Sequence, residues 1–103
     1  MRKTVHLDEK AVKELGEFSK EIQRDFKAVF EILEKKGRLE FPEAKKIAEN
    51  LFEIRVYREG AYRGFYAYIG KKYIVVLHFF PKKTQKTPLK HIRVAKRRLK
   101  SYE

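Results

Sequence analysis

The densest chemistry in the chain lies between residues 78 and 88. There His78-Phe79-Phe80-Pro81-Lys82-Lys83-Thr84-Gln85-Lys86-Thr87-Pro88 sets three lysines in a polar loop between a very apolar strand and a basic helix. A cation cluster held at the edge of a sheet suits a phosphate backbone. Upstream, Arg55 in Leu51-Phe52-Glu53-Ile54-Arg55-Val56 and Arg63 in Tyr62-Arg63-Gly64-Phe65-Tyr66-Ala67-Tyr68 add two guanidinium groups. Such groups are fit to stabilise a crowded, anionic phosphorus centre. His78 titrates near neutral pH and is a candidate general acid or base, although a lone histidine on a central strand is more often packed and hydrogen-bonded. Tyr57, Tyr66 and Tyr68 offer rings on which bases stack, with Tyr66 and Tyr68 better suited to the core.

These side chains need a scaffold, and its elements are readable. Lys3-Thr4-Val5-His6-Leu7 alternates as a short first strand, and Asp8 is a good N-cap for a helix with the apolar stripe Ala11, Leu15 and Phe18. A second helix starts near Ser19 and carries Ile22, Phe26, Val29, Phe30 and Leu33 at three- and four-residue steps until Gly37 stops it. The two are expected to form an antiparallel hairpin. Pro42 opens a short helix over Glu43 to Ile47, which Asn50 breaks. Three strands follow, Leu51–Tyr57, Tyr62–Ile69 and Lys72–Phe80, the last ended by Pro81. Thr87 as N-cap and Pro88 at the first helical position open a final helix to Ser101, with the stripe Leu89, Ile92, Ala95 and Leu99. Its remaining faces are basic, Arg93 and Arg97 included.

Register then decides which side chains meet. Gly70-Lys71 as a two-residue turn places Arg63 opposite His78. A three-residue loop of Glu59, Gly60 and Ala61 puts Arg55, Tyr57, Arg63, Phe65 and His78 on one face. The other face, with Ile54, Val56, Tyr66, Val75, Leu77 and Phe79, is the better core. The helical hairpin is expected to cover it and to leave the arginine face concave and accessible.

At 103 residues the chain is expected to be one domain with a modest core. Its 43% hydrophobic and 14% aromatic content excludes a disordered tail. Without cysteine there is no disulfide, thiol nucleophile or Cys-type zinc site, and the dispersed His6, His78 and His91 do not form a metal set, so no cofactor is expected. No apolar run approaches a membrane span and no signal peptide is evident, which predicts a cytoplasmic protein that does not engage the membrane. Residues 1–50 hold 12 Lys and Arg against 11 Asp and Glu, and residues 51–103 hold 14 against 3. Nearly all of the net +12 therefore belongs to the second half, the footprint of a nucleic-acid or acidic-protein surface.

The two strand motifs and the Lys-Lys-Thr-x-Lys-Thr-Pro loop together resemble the RelE/HigB superfamily of type II toxin ribonucleases, in its phage-derived, HigB-like branch. The resemblance implies an α+β, RelE-like fold: a small, mostly antiparallel four-stranded sheet with an N-terminal helical hairpin and a basic C-terminal helix. It implies cleavage of messenger RNA, on the ribosome, and neutralisation by a cognate antitoxin, often a helix-turn-helix DNA-binding protein. By the same resemblance Arg55 and Arg63 bind or position the scissile phosphate, Lys82 or Lys83 contacts phosphate, Lys86 supports the RNA path, and Tyr102 stands where some relatives use a C-terminal tyrosine; Tyr57 by stacking, and Arg93 and Arg97 by charge, are further candidates to bind RNA. RNA cleavage needs no metal when the ribose 2′-hydroxyl supplies the nucleophile. The chain departs from relatives with an acidic catalytic residue, since no Asp follows Asp25. Two rivals stand beside the ribonuclease: a non-catalytic nucleic-acid-binding module, and a protein whose basic face docks an acidic partner.

Overall fold

A computed structural model describes residues 2–39, 44–83 and 86–103. In chain order these form β1 (Thr4–Leu7), α1 (Glu9–Gly16), α2 (Lys20–Lys36), β2 (Ala44–Ala48), β3 (Leu51–Tyr57), β4 (Ala61–Ile69), β5 (Tyr73–Lys82) and α3 (Leu89–Leu99), then a short 3-10 turn over Lys100–Tyr102. The first two helices begin and end as their local chemistry dictates. Asp8 accepts from the Lys10 and Ala11 N–H groups, and Ser19 accepts from that of Ile22. Gly37 closes α2 in the left-handed region at φ 76°, its N–H returned to the Leu33 carbonyl.

The sheet has five strands in the order β1-β5-β4-β3-β2, one more than the sequence suggested. The extra strand is β2, where a short helix was expected; Pro42 and Glu43, which were to open that helix, lie outside the described residues. Ala44-Lys45-Lys46-Ile47-Ala48 is too short for periodicity to separate helix from strand, and pairing with β3 settles it. Ala44 sits opposite Ile54 in the core, and Lys45 opposite Glu53 on the other face. β1 joins β5 in parallel and makes the sheet mixed.

Two loops and one bulge set the register. Tyr57 pairs with Ala61, so the β3–β4 loop has three residues as expected but begins one residue earlier, at Arg58. Ile69 pairs with Tyr73, which makes the β4–β5 connection a three-residue loop with Gly70 at φ 60°, not a two-residue turn. A bulge then leaves Leu77 unpaired between the Tyr66–Val76 and Phe65–His78 pairs. Phe65, not Arg63, is therefore opposite His78, while Arg63 faces Phe80. Pro81 does not end β5 but pairs with Tyr62, and the strand runs on to Lys82. β1 flanks β5 only over Tyr73–Val76, so Pro81 lies where β5 is an edge and its missing N–H is tolerated.

Both faces of the sheet are apolar where helices cover them. Helices α1 and α2 pack Leu15, Phe26 and Leu33 onto Ile54, Val56, Tyr66, Ile74, Val76 and Phe79. Helix α3 packs Ala95 and Leu99 onto Leu51, Phe65, Val75, Leu77 and Phe80. The three-residue loop and the bulge together explain why Val75 and Leu77, expected under the first two helices, lie under α3. The arginine face is accordingly not an open concave surface, since α3 occupies much of it. Gly64, between Ile54 and Phe79, leaves little room for a side chain: an added Cβ would lie 3.0 Å from the Phe79 ring and 3.3 Å from that of Phe26, so these packed rings would have to give by a few tenths of an ångström. Gly64→Ala is expected to cost about 1–3 kcal/mol, read as a lower denaturant midpoint at unchanged slope.

Candidate functional site

Beyond the end of α3 the second face turns polar, and an open cleft of about 290 Å³ is lined by Lys45, Lys46, Ile47, Glu53, Arg55, Lys82, Lys86 and Thr87. Pairing builds it in rows. Arg55, Arg63 and Phe80 stand abreast across β3, β4 and β5, and the next row is Tyr57, Ala61 and Lys82. Neighbouring strands are about 4.8 Å apart, so the small Ala61 leaves space between Tyr57 and Lys82. Glu53, only 1% exposed, is the one carboxylate among the lining residues. Its Oε1 lies 3.3 Å from Arg63 Nε and 3.5 Å from Arg55 Nε. Its Oε2 accepts a 2.8 Å hydrogen bond from the Thr87 hydroxyl. The Lys82 ammonium is held below the usual lysine range, chiefly because burial desolvates it and then because Arg63 and Arg55 repel it; Glu53 pulls the other way.

Arg55, Lys82 and Lys86 thus share one cleft, with exposed Lys83 next to Lys82 in the chain. Arg63 lies beneath it rather than on its surface. Only 5% exposed, it donates from Nη1 to the Tyr62 carbonyl and from Nη2 to the Tyr57 hydroxyl, and its guanidinium lies over the Tyr57 ring at 5.2 Å. Tyr57 itself is 66% exposed and flanks the site. Arg93 and Arg97 are exposed on α3 and do not line the cleft.

His78 is not brought to the cleft. It is buried among α1, β5 and α3, its Nδ1 2.9 Å from Glu14 Oε1 and its Nε2 2.8 Å from His91 Nδ1. The bulge turns it toward α3, where its ring and that of His91 stack on Phe80. Tyr102 is likewise elsewhere. Its hydroxyl donates to Asp8 Oδ2 at 2.8 Å, and burial, followed by that bond and the Asp8 charge, pushes its pKa up to about 12. Asp8 is bonded to Val76, six residues or about 20 Å of strand from Lys82. The C-terminus is therefore anchored at the far end of α3. Thr87, expected to cap α3 from its place before Pro88, does not do so, because its hydroxyl is taken by Glu53; Pro88 is the N-cap and not the first helical residue.

Sequence reasoning missed Glu53, Thr87, Lys45 and Lys46 as members of the site. Glu53 had a visible signal, an acid between two apolar strand residues in the acid-poor half of the chain. Lys45 and Lys46 had none once their segment was read as helix. Among the described residues no group of three or more His, Cys, Asp or Glu stands together to hold a metal ion, and no helix is long and apolar enough to cross a membrane.

A family model of phage-derived, Gp49-like proteins matches residues 13–100. The chain belongs to this Gp49-like family. Among solved structures, the Gp49-like chain is similar to a mutant of the E. coli toxin RelE in the free state, with TM-score 0.71 and 18% identity over the whole of both chains. It is also similar to a chain of the intact E. coli RelBE toxin–antitoxin complex, with TM-score 0.64 and 19% identity over 80% of this chain and 99% of that one. A mutant RelE bound to a peptide of the antitoxin RelB matches at TM-score 0.62 and 23% identity, covering 82% of this chain and 86% of that one. These likenesses establish a RelE-like α+β fold. No curated protein matches the sequence.

Proposed function

We propose that this Gp49-like chain is the toxin of a type II toxin–antitoxin pair, of HigB-like type, and an endoribonuclease that cuts messenger RNA on the ribosome and so stops translation in the cytoplasm. The observation that carries the reading is the cleft, where Lys45, Lys46, Arg55, Lys82 and Lys86 surround one buried carboxylate on a RelE-like fold. Five cations against one anion suit a phosphate of the RNA backbone. The ribose 2′-oxygen attacks the adjacent phosphorus, the bond from phosphorus to the 5′-oxygen breaks, and the products are a 2′,3′-cyclic phosphate and a 5′-hydroxyl. Arg55 and Lys83 bind the phosphate and offset its added charge. Lys82, more acidic than an ordinary lysine, gives its proton to the leaving 5′-oxygen, and the proton of the 2′-hydroxyl passes to solvent. Lys86, Tyr57, Arg93 and Arg97 carry the flanking strand. No step needs a cofactor.

The partner is an antitoxin, of helix-turn-helix type, that lays acidic and apolar residues over the cleft and shields its cations. Support comes from the similar chain of the RelBE complex. The deciding experiment uses an RNA oligonucleotide and a copy with a single 2′-deoxy nucleotide at the cut site. Products of the first are expected to end in a 2′,3′-cyclic phosphate, while the second binds and resists cleavage. Efficient cutting of the deoxy copy would exclude attack by the ribose hydroxyl. Salt-sensitive binding without any cleavage would select a non-catalytic nucleic-acid-binding module, the reading favoured by the burial of His78 away from the cleft.

A further inference from the structure

We infer that Glu53 is the positioning residue of this cleft, one buried carboxylate that aims the two arginines by their Nε edges and ties the start of α3 to the sheet through Thr87. The inference rests on the ribonuclease reading for its catalytic consequence. A carboxylate beneath a phosphate site repels the ligand, and burying it costs several kcal/mol unless it is paired. Its place must therefore be explained by what it holds.

Each of its oxygens has a separate task. Oε1 lies at ion-pair distance from the buried Nε atoms of Arg63 and Arg55, at 3.3 and 3.5 Å, without a hydrogen bond to either, so it holds them by charge. With Arg63 Nη1 and Nη2 given to Tyr62 and Tyr57, that guanidinium is locked as a platform. Arg55 is tethered only by its Nε edge, and its Nη groups make no hydrogen bond among the described residues, so they are the donors left for a ligand. Oε2 takes the Thr87 hydroxyl, a contact across 34 positions of sequence that fixes Lys86 and Thr87 against β3. Glu53 also offsets the repulsion that Arg55 and Arg63 exert on Lys82. The groups facing Lys82 are Glu53, Arg55 and Tyr57 from β3 and Arg63 from β4, with Lys45, Lys46 and Lys86 around the cleft. Removing the carboxylate leaves only the Tyr57 ring and hydroxyl to counter these cations.

The test compares Glu53→Gln, Thr87→Val and Thr87→Ser in the full chain with two readouts. The first is the Lys82 side-chain titration, followed by NMR without RNA. The second is single-turnover cleavage of an RNA oligonucleotide across pH, with its Kd. Glu53→Gln is expected to lower the Lys82 midpoint, to slow cleavage at least tenfold with an alkaline limb moved to lower pH, and to change Kd less than threefold. Thr87→Val is expected to slow cleavage about tenfold, and Thr87→Ser to restore it to within threefold of wild type. An unmoved Lys82 midpoint in folded Glu53→Gln, or wild-type cleavage by Thr87→Val, overturns the inference. If Glu53→Gln does not fold, the Thr87 pair decides, because it leaves the carboxylate in place and cuts only the tether. Wild-type protein that cuts no RNA would remove the ribonuclease reading instead, and the Lys82 midpoint would still decide the role of Glu53.

Discussion

Arg55→Ala is expected to fold like the wild type and to cleave RNA about 100-fold more slowly, the scale set by loss of a single donor to a developing oxyanion. Arg55 lines the cleft, and its ion pair is one 3.5 Å approach to Glu53, which keeps Arg63 and Thr87 as partners, so the substitution strands no buried charge. Arg63 is a different case. Its side chain is 6% exposed, and its guanidinium serves Glu53, Tyr57 and the Tyr62 carbonyl together. Arg63→Ala takes the nearer buried cation from Glu53, leaving it Arg55 and Thr87, and is expected to lower stability by about 3 kcal/mol along with activity. The two variants therefore separate on a plot of denaturant midpoint against cleavage rate. Full activity in a folded Arg55→Ala protein would place the site elsewhere.

Glu14→Ala is expected to cost about 3 kcal/mol of stability, because one carboxylate holds three elements together. From α1 it accepts 2.9 Å bonds from Arg98 Nη1 and Nη2 on α3, a 3.1 Å bond from the Phe79 N–H on β5, and a 2.9 Å bond from His78. Burial pushes the Glu14 carboxyl up, but the bonds from His78, Arg98 and Phe79 outweigh it and hold the group at about 2 rather than 4.5. A carboxyl depressed on folding adds stability that is complete above pH 4.5 and is lost as pH falls toward 2. His91 acts in the same direction at higher pH. Burial, and then the charges of His78 and Lys90, hold it below 6.5, so the folded state resists its protonation and loses stability as pH falls below that value. Denaturant midpoints measured from pH 8 to 2.5 should decline in two stages. In Glu14→Ala the lower stage should flatten; an unchanged slope below pH 4.5 would show that Glu14 does not carry the acid sensitivity.

The features legible in the sequence were those decided within a few residues of chain. Asp8, Ser19 and Gly37 mark helix ends because a cap satisfies backbone groups two to four positions away. The three- and four-residue steps of α2 and the +11 balance of the second half needed no partner to be read. The cations of Arg55, Lys82 and Lys86 were legible as residue types, and their convergence followed from short loops between adjacent strands. Tertiary structure alone decided what depended on distant partners. One extra residue in the β4–β5 loop moved Val75 to the other face, because side chains alternate with period two, and the extra residue at the Leu77 bulge restored the phase, so His78 kept its face but slid along β4 from Arg63 to Phe65, toward His91. Ala44–Ala48 became a strand because β3 offered it an edge. Glu53, Thr87 and Glu14 became central because burial strips water from a carboxylate and forces it to find donors, here 34, 64 and 84 positions away, which no local pattern of residues can announce.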